Sequence, residues 1–307
     1  MLNFLPTYIR GALSLILYAA NTIFWTIPIF AAAFLKLIMP FWKKHYTRLL
    51  TCIADKWILI NTFNQKLMNN IRWDVKGLEG LKQDGWYLVL ANHQSWTDIL
   101  VLQRIFHRKI PFLKFFLKKE LIWVPFLGIA WWALDFPFMK RYSKAFLDKY
   151  PHLKGKDIEI TRKACEKFKT LPVSVMNFVE GTRFTPEKHK IQKSPYYNLL
   201  NPKAGGVAFV LSAMGEQLHQ IVNVTIVYPD GSKSFWDFIC GKIGEIRVRV
   251  EILPVNGEII GDYVNNAEFR ENFQKWINSL WQQKDMRIHS MLNHLPAHRA
   301  WFDEASS

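Results

Sequence analysis

From Gly11 to Leu35 the chain carries no Asp, Glu, Lys or Arg. As a helix rising 1.5 Å per residue the run is about 37 Å long, against about 30 Å of bilayer hydrocarbon. A single tilted span fits. Pro28 interrupts the run, and a kink or break at Ile27-Pro28 would instead give two shorter helices lying partly in one leaflet. A cleaved leader fits less well, because more apolar sequence follows Ala31-Ala32-Ala33. Lys36, Lys43, Lys44 and Arg48 follow the run and only Arg10 precedes it, so the positive-inside bias places the bulk of the chain on the cytoplasmic side. Leu121 to Leu134 is a second uncharged stretch, too short to span, and reads as a core helix or an interfacial segment.

A formal charge of +15 attracts nucleic acid, anionic headgroups or phosphorylated substrates. The apolar run, with 13 Trp, 23 Phe and 10 Tyr among the cations, favours the bilayer interface. No helix-turn-helix, RNA-recognition or zinc-finger signature supports nucleic acid as a partner. Cys52, Cys165 and Cys240 form no CxxC pair, so neither a disulfide framework nor a metal site is expected.

Beyond the run, residues 43 to 70 read as an amphipathic helix and Arg72 to Lys76 as a short strand. Buried strands are expected at Trp86–Leu90, Val173–Val179 and Ile221–Tyr228, with an alternating one at Arg247–Leu253 and a short one at Asp135–Met139. Helices are expected from Ser95 to Phe106, from 157 to 169, from 204 to 214, and, singly or as a pair, from Phe269 to Leu295. Residues 140 to 156 read as a basic linking excursion and 181 to 204 as a polar connection. The fold class is therefore α/β: a layered, mostly parallel sheet flanked by helices, with an N-terminal membrane-anchoring helix or helical hairpin. Residues 1–70 form the anchor and linking helix, and 71–307 one catalytic domain.

His93 follows the first buried strand, and Asp98 lies in the first turn of the next helix. Strand ends gather loops in such folds, which suits catalytic groups. The carboxylate can turn back to one imidazole nitrogen, fix the tautomer and leave the other nitrogen to take a proton from a hydroxyl. The spacing alone is not specific, since His152 with Asp157 and His298 with Asp303 share it. Only His93 lies between a buried strand and a helix that Ser95 and Thr97 can cap.

The full string Asn92-His93-Gln94-Ser95-Trp96-Thr97-Asp98 resembles the first signature, N-H-x-S-x-x-D, of the glycerolipid acyltransferase family, which includes 1-acylglycerol-3-phosphate and lysophospholipid acyltransferases. Phe178 to Arg183 matches that family's F-x-E-G-T-R signature, Phe138 to Arg141 is similar to its F-x-x-R block, and Val222 to Pro229 to its last apolar block. The resemblance covers about residues 75 to 230. It implies that His93 and Asp98 are catalytic and that Arg141, Glu180, Gly181, Thr182 and Arg183 bind the acceptor, with both arginines on its phosphate.

The implied reaction moves a fatty acyl group from acyl-CoA or acyl-ACP to a lysophospholipid hydroxyl, with membrane lipids as partners and no cofactor or metal. The chain is then membrane-bound with its catalytic domain facing the cytoplasm, at the inner membrane if bacterial. A non-catalytic lipid-binding protein on the same scaffold is the alternative, though it has no need of His93 and Asp98 together. Lys203, Gly205 and Gly206 suit an ordinary helix start better than a phosphate nest. Trp131 and Trp132 suit core packing better than an acyl groove.

Overall fold

The computed structural model describes residues 2, 4–139, 165, 166, 168, 171–215 and 217–293. Helix α1 (Thr7–Ile38) runs through Pro28 without a break. A 3-10 turn (Pro40–Trp42) reverses the chain into α2 (Lys43–Met68). The pair is an antiparallel hairpin joined by buried amides: Asn21 Nδ2 donates to Asn61 Oδ1 at 2.8 Å, and Asn64 Nδ2 to the Ser14 carbonyl at 3.1 Å. Of the two arrangements open in the sequence, the run forms the single continuous helix and not two shorter ones broken at Pro28; its partner is the helix expected over residues 43 to 70. α1 is long and apolar enough to cross a membrane. Phe24, Ile27, Phe30 and Phe34 stay exposed on it, while Ile29, Ala32 and Ala33 join the core.

The main sheet contains β1 (Arg72–Lys76), β2 (Tyr87–Ala91), β3 (Leu113–Phe115), β6 (Ser174–Phe178), β7 (Gln220–Val227) and β8 (Glu245–Pro254), in the order β1-β8-β7-β2-β6-β3. Every neighbouring pair is parallel except β7 with β8. β2 is central because Tyr-Leu-Val-Leu-Ala offers no polar side chain to either face. Tyr87, Val89 and Ala91 enter the core layer shared with α1, α2 and α3 (Thr97–Phe106), while Leu88 and Leu90 enter the opposite layer. Each large aliphatic side chain so buried stabilises the fold by roughly 1.5–3 kcal/mol.

The uncharged stretch from Leu121 is not one helix. A 3-10 turn (Lys119–Trp123) meets Pro125, Phe126 takes φ 63°, and only then does α4 (Leu127–Ala133) begin. A β-carbon on Gly128 would lie 2.0 Å from the Ile122 carbonyl oxygen, so this fold-back requires glycine. The short strand expected before residue 140 is β5 (Phe138–Met139), paired with β4 (Leu117–Lys118) in a separate ribbon. The expected excursion at 140–156 and the helix at 157–169 lie outside the described residues, apart from Cys165, Glu166 and Phe168.

Two helices fall where connections were expected. α5 (Pro186–Gln192) opens with Thr185 accepting from the Lys188 N–H, and α7 (Phe235–Ile239) with a Ser234–Asp237 capping box. α6 (Ala204–Met214) starts at the Lys203-Gly205-Gly206 segment, and α8 (Ala267–Asn293) is a single helix. Both cover the second face of the sheet.

Candidate active site

The carboxyl ends of β2, β6 and β7 converge. As the chain leaves β2, Asn92 substitutes for the ladder: its Nδ2 donates to the Ile226 carbonyl and its Oδ1 accepts the Ile226 N–H, both at 2.9 Å. This double bond fixes the direction in which the next residue, His93, departs. The ring of His93 stacks on Phe178 from the end of β6, with centroids 3.9 Å apart.

Asp98 is fully buried in the first turn of α3. Its Oδ2 lies 2.8 Å from His93 Nδ1 and also accepts the N–H groups of Gln94 (2.7 Å) and Ser95 (2.9 Å). Its Oδ1 accepts the Tyr228 hydroxyl at 2.6 Å. An acceptor so surrounded by donors is a carboxylate, so Nδ1 carries the proton and Nε2 is the basic nitrogen. The expected side-chain caps take a different form here. Ser95 Oγ accepts the Thr97 N–H at 3.2 Å and donates to the Lys233 carbonyl at 2.8 Å, while Asp98 serves the preceding loop.

The turn after β6 wraps this loop. Gly181 has φ +68°, with the Lys203 side chain directly above it. The Phe184 N–H donates to the His93 carbonyl at 2.7 Å. Arg183 places its guanidinium over the half-exposed Trp96, its central carbon 4.7 Å from the ring centre. A guanidinium carries paired N–H donors suited to an oxyanion. Thr182 Oγ1 accepts from Lys188 Nζ at 2.9 Å.

Residues 72–229 match the family model described as Acyltransferase, which is half of the chain. The chain belongs to the acyltransferase family. It is 27% identical over 193 residues to the 1-acyl-sn-glycerol-3-phosphate acyltransferase alpha of Bos taurus, covering 62% of this chain and 55% of that one. It is 35% identical over 130 residues to the 1-acyl-sn-glycerol-3-phosphate acyltransferase of Saccharomyces cerevisiae, covering 42% of this chain and 38% of that one. The chain thus spans about half the length of the curated relatives it matches. The solved 1-acyl-sn-glycerophosphate acyltransferase PlsC of Thermotoga maritima is 14% identical, with TM-score 0.47 over 89% of this chain and 98% of that one.

The turn after β6 brings Arg183 onto Trp96, in the loop that joins His93 to Asp98. Glu180 departs from expectation. Its carboxylate does not face an acceptor. It is fully buried, accepting the His93 N–H at 2.9 Å and the Leu200 N–H at 2.8 Å. Burial pushes its pKa up to about 8, against the pull of those two N–H groups. Arg141 and the pairs His152–Asp157 and His298–Asp303 lie outside the described residues.

Three groups escaped the sequence reading. Phe178 and Tyr228 lie within the motif blocks but were read only as strand residues. Lys284 sits in the buried stripe of α8, where a charge is unexpected. Its Nζ donates to the Val224 carbonyl at 2.5 Å, and burial holds it well below the usual lysine range.

Proposed function

We propose that this acyltransferase moves a fatty acyl group from acyl-CoA or acyl-ACP to the free hydroxyl of a lysophospholipid, with 1-acylglycerol-3-phosphate as acceptor and phosphatidic acid as product. The observation that carries the reading is the 2.8 Å contact between His93 Nδ1 and the fully buried Asp98 carboxylate. Nε2 of His93 removes the acceptor's hydroxyl proton as that oxygen attacks the thioester carbonyl. Asp98 stabilises the imidazolium that results. The carbon–sulfur bond then breaks, and the thiolate leaves with the electron pair. It takes up the proton held on His93 or one from water.

Arg183, stacked on Trp96 beside the dyad, supplies a planar cation for the acceptor's phosphate. Arg141 is the second cation this reading assigns to the same group. The names of the relatives, 1-acyl-sn-glycerol-3-phosphate acyltransferases, support the choice of acceptor. The exposed apolar face of α1 supports a membrane location, with the basic residues after it on the cytoplasmic side. Such an anchor presents the dyad to a lipid acceptor that enters sideways while a soluble donor arrives from water.

The test is purified protein in detergent, offered lysophosphatidic acid, lysophosphatidylglycerol and other lysolipids with labelled acyl-CoA or acyl-ACP. Transfer to lysophosphatidic acid that disappears in His93→Ala is the expected result. Lysolipid binding without transfer would leave a lipid-binding protein instead.

A further inference from the structure

Three of the four donors on Asp98 come from residues 93, 94 and 95, immediately before its own helix. They share one oxygen, Oδ2, and would move with the loop. The fourth is the Tyr228 hydroxyl, from the end of β7 and 130 positions away in the chain, and it reaches the other oxygen, Oδ1, at 2.6 Å. We infer that Tyr228 is a positioning residue for acyl transfer: it locks the Asp98 carboxylate against rotation and limits how strongly that carboxylate pulls on the His93 ring.

The geometry sets both effects. Oδ2 is held only by groups that can shift with the loop, whereas the bond on Oδ1 pins the carboxylate to the end of the sheet, so it cannot turn with the loop. Tyr228 is the first residue after β7, and Pro229 behind it restricts its backbone to extended conformations. The ring is buried, and burial together with Asp98 holds the phenol well above its ordinary pKa. It is therefore a permanent donor and not a proton relay. A donor on Oδ1 withdraws charge from the carboxylate, so the imidazolium is held less tightly and the ring gives up its proton at lower pH. Other ionisable groups around the dyad are Glu180 and Arg183 from the turn after β6, Lys203 above Gly181, and Lys284 from α8 beneath β7. All stay in place in the variants below, so their contributions to the pH profile are common to every protein compared.

The inference rests on the acyl-transfer reading for its kinetic arm only. Its other arm is ring titration of His93, followed by carbon NMR of ring-labelled histidine in the detergent-solubilised full chain and assigned with His93→Gln. In Tyr228→Phe the His93 ring titrates at higher pH than in the wild type. The acid limb of kcat/KM moves up with it, kcat falls by about 3- to 30-fold, and KM for donor and acceptor is unchanged. Site-specific 3-fluorotyrosine at position 228, a stronger donor of nearly the same shape, moves both values the other way and serves if the phenylalanine variant does not fold. A hydroxyl needed only for packing moves neither. His93 titrating alike in the wild type and the fluorotyrosine protein would overturn the inference. Wild-type protein without transferase activity would instead count against the proposed reaction and leave the titration result standing.

Discussion

The carboxyl group of Glu180 accepts the backbone N–H of His93 at 2.9 Å, so the E-G-T-R turn holds the His93 loop by its main chain. The second oxygen holds Leu200, tying the chain ahead of α6 to the same point. The second motif thus has a structural member, Glu180, and a solvent-facing one, Arg183.

Glu180 makes stability depend on pH. Its carboxyl titrates near 4.5 unfolded and at about 8 folded, so between those values the folded state holds the extra proton. Its contribution is full below about pH 4.5, declines as pH rises toward 8, and is constant above that. Glu180→Gln should be less stable at every pH, because its amide nitrogen faces a backbone N–H. It should also lose at least ~1.4 kcal/mol of the decline between pH 5 and 8. Denaturant midpoints at the two pH values, for both proteins, check this. Parallel declines would rule it out.

Replacing His93 by Ala should lower kcat by about 100- to 10,000-fold with little change in thermal midpoint, since the ring is the base of the proposed mechanism and is not a deep core element. Asp98→Asn should lower activity comparably and also cost stability. One of its amide N–H groups must face a donor among Gln94, Ser95, His93 and Tyr228. Calorimetry alongside turnover separates the two variants, and a fully active His93→Ala would end the mechanism.

Arg183→Lys keeps the charge but loses the guanidinium over Trp96 and its paired donors. An increase of about tenfold in KM for a phosphate-bearing acceptor, with donor KM unchanged, is the expected outcome. Trp96→Ala should reproduce a smaller part of the same effect. Equal changes in the two KM values would argue against a phosphate role.

Ile27, Phe30 and Phe34 are exposed on α1, so changing all three to Ser should leave the melting behaviour in detergent nearly unaltered. The same change should move the protein from the alkali-resistant membrane pellet toward the supernatant, because each side chain removed from lipid forfeits roughly 1.5–3 kcal/mol of apolar burial. Unchanged sedimentation would show that this face is not what meets the bilayer.

Local chemistry made much of this legible from residues alone. The uncharged run announced α1, because no soluble connection has such composition over that length. The compact apolar run of β2 announced a strand, because only a strand covered on both faces can bury it. His93, Asp98 and Arg183 were found because their neighbours give them motif context. Other features depend on residues distant in sequence meeting in space. Tyr228 reaches Asp98 across 130 positions, and the apolar block in which it lies does not name that partner. The inward turn of Glu180 depends on two backbone N–H groups, which have no letter in a sequence. The antiparallel placing of β8 against β7 is decided by how the chain returns to the sheet, which periodicity does not record. Composition and pattern fixed which segments are apolar and which side chains can do chemistry. Packing alone decided which oxygen meets which donor, because hydrogen bonds between distant segments exist only once the core has closed around them.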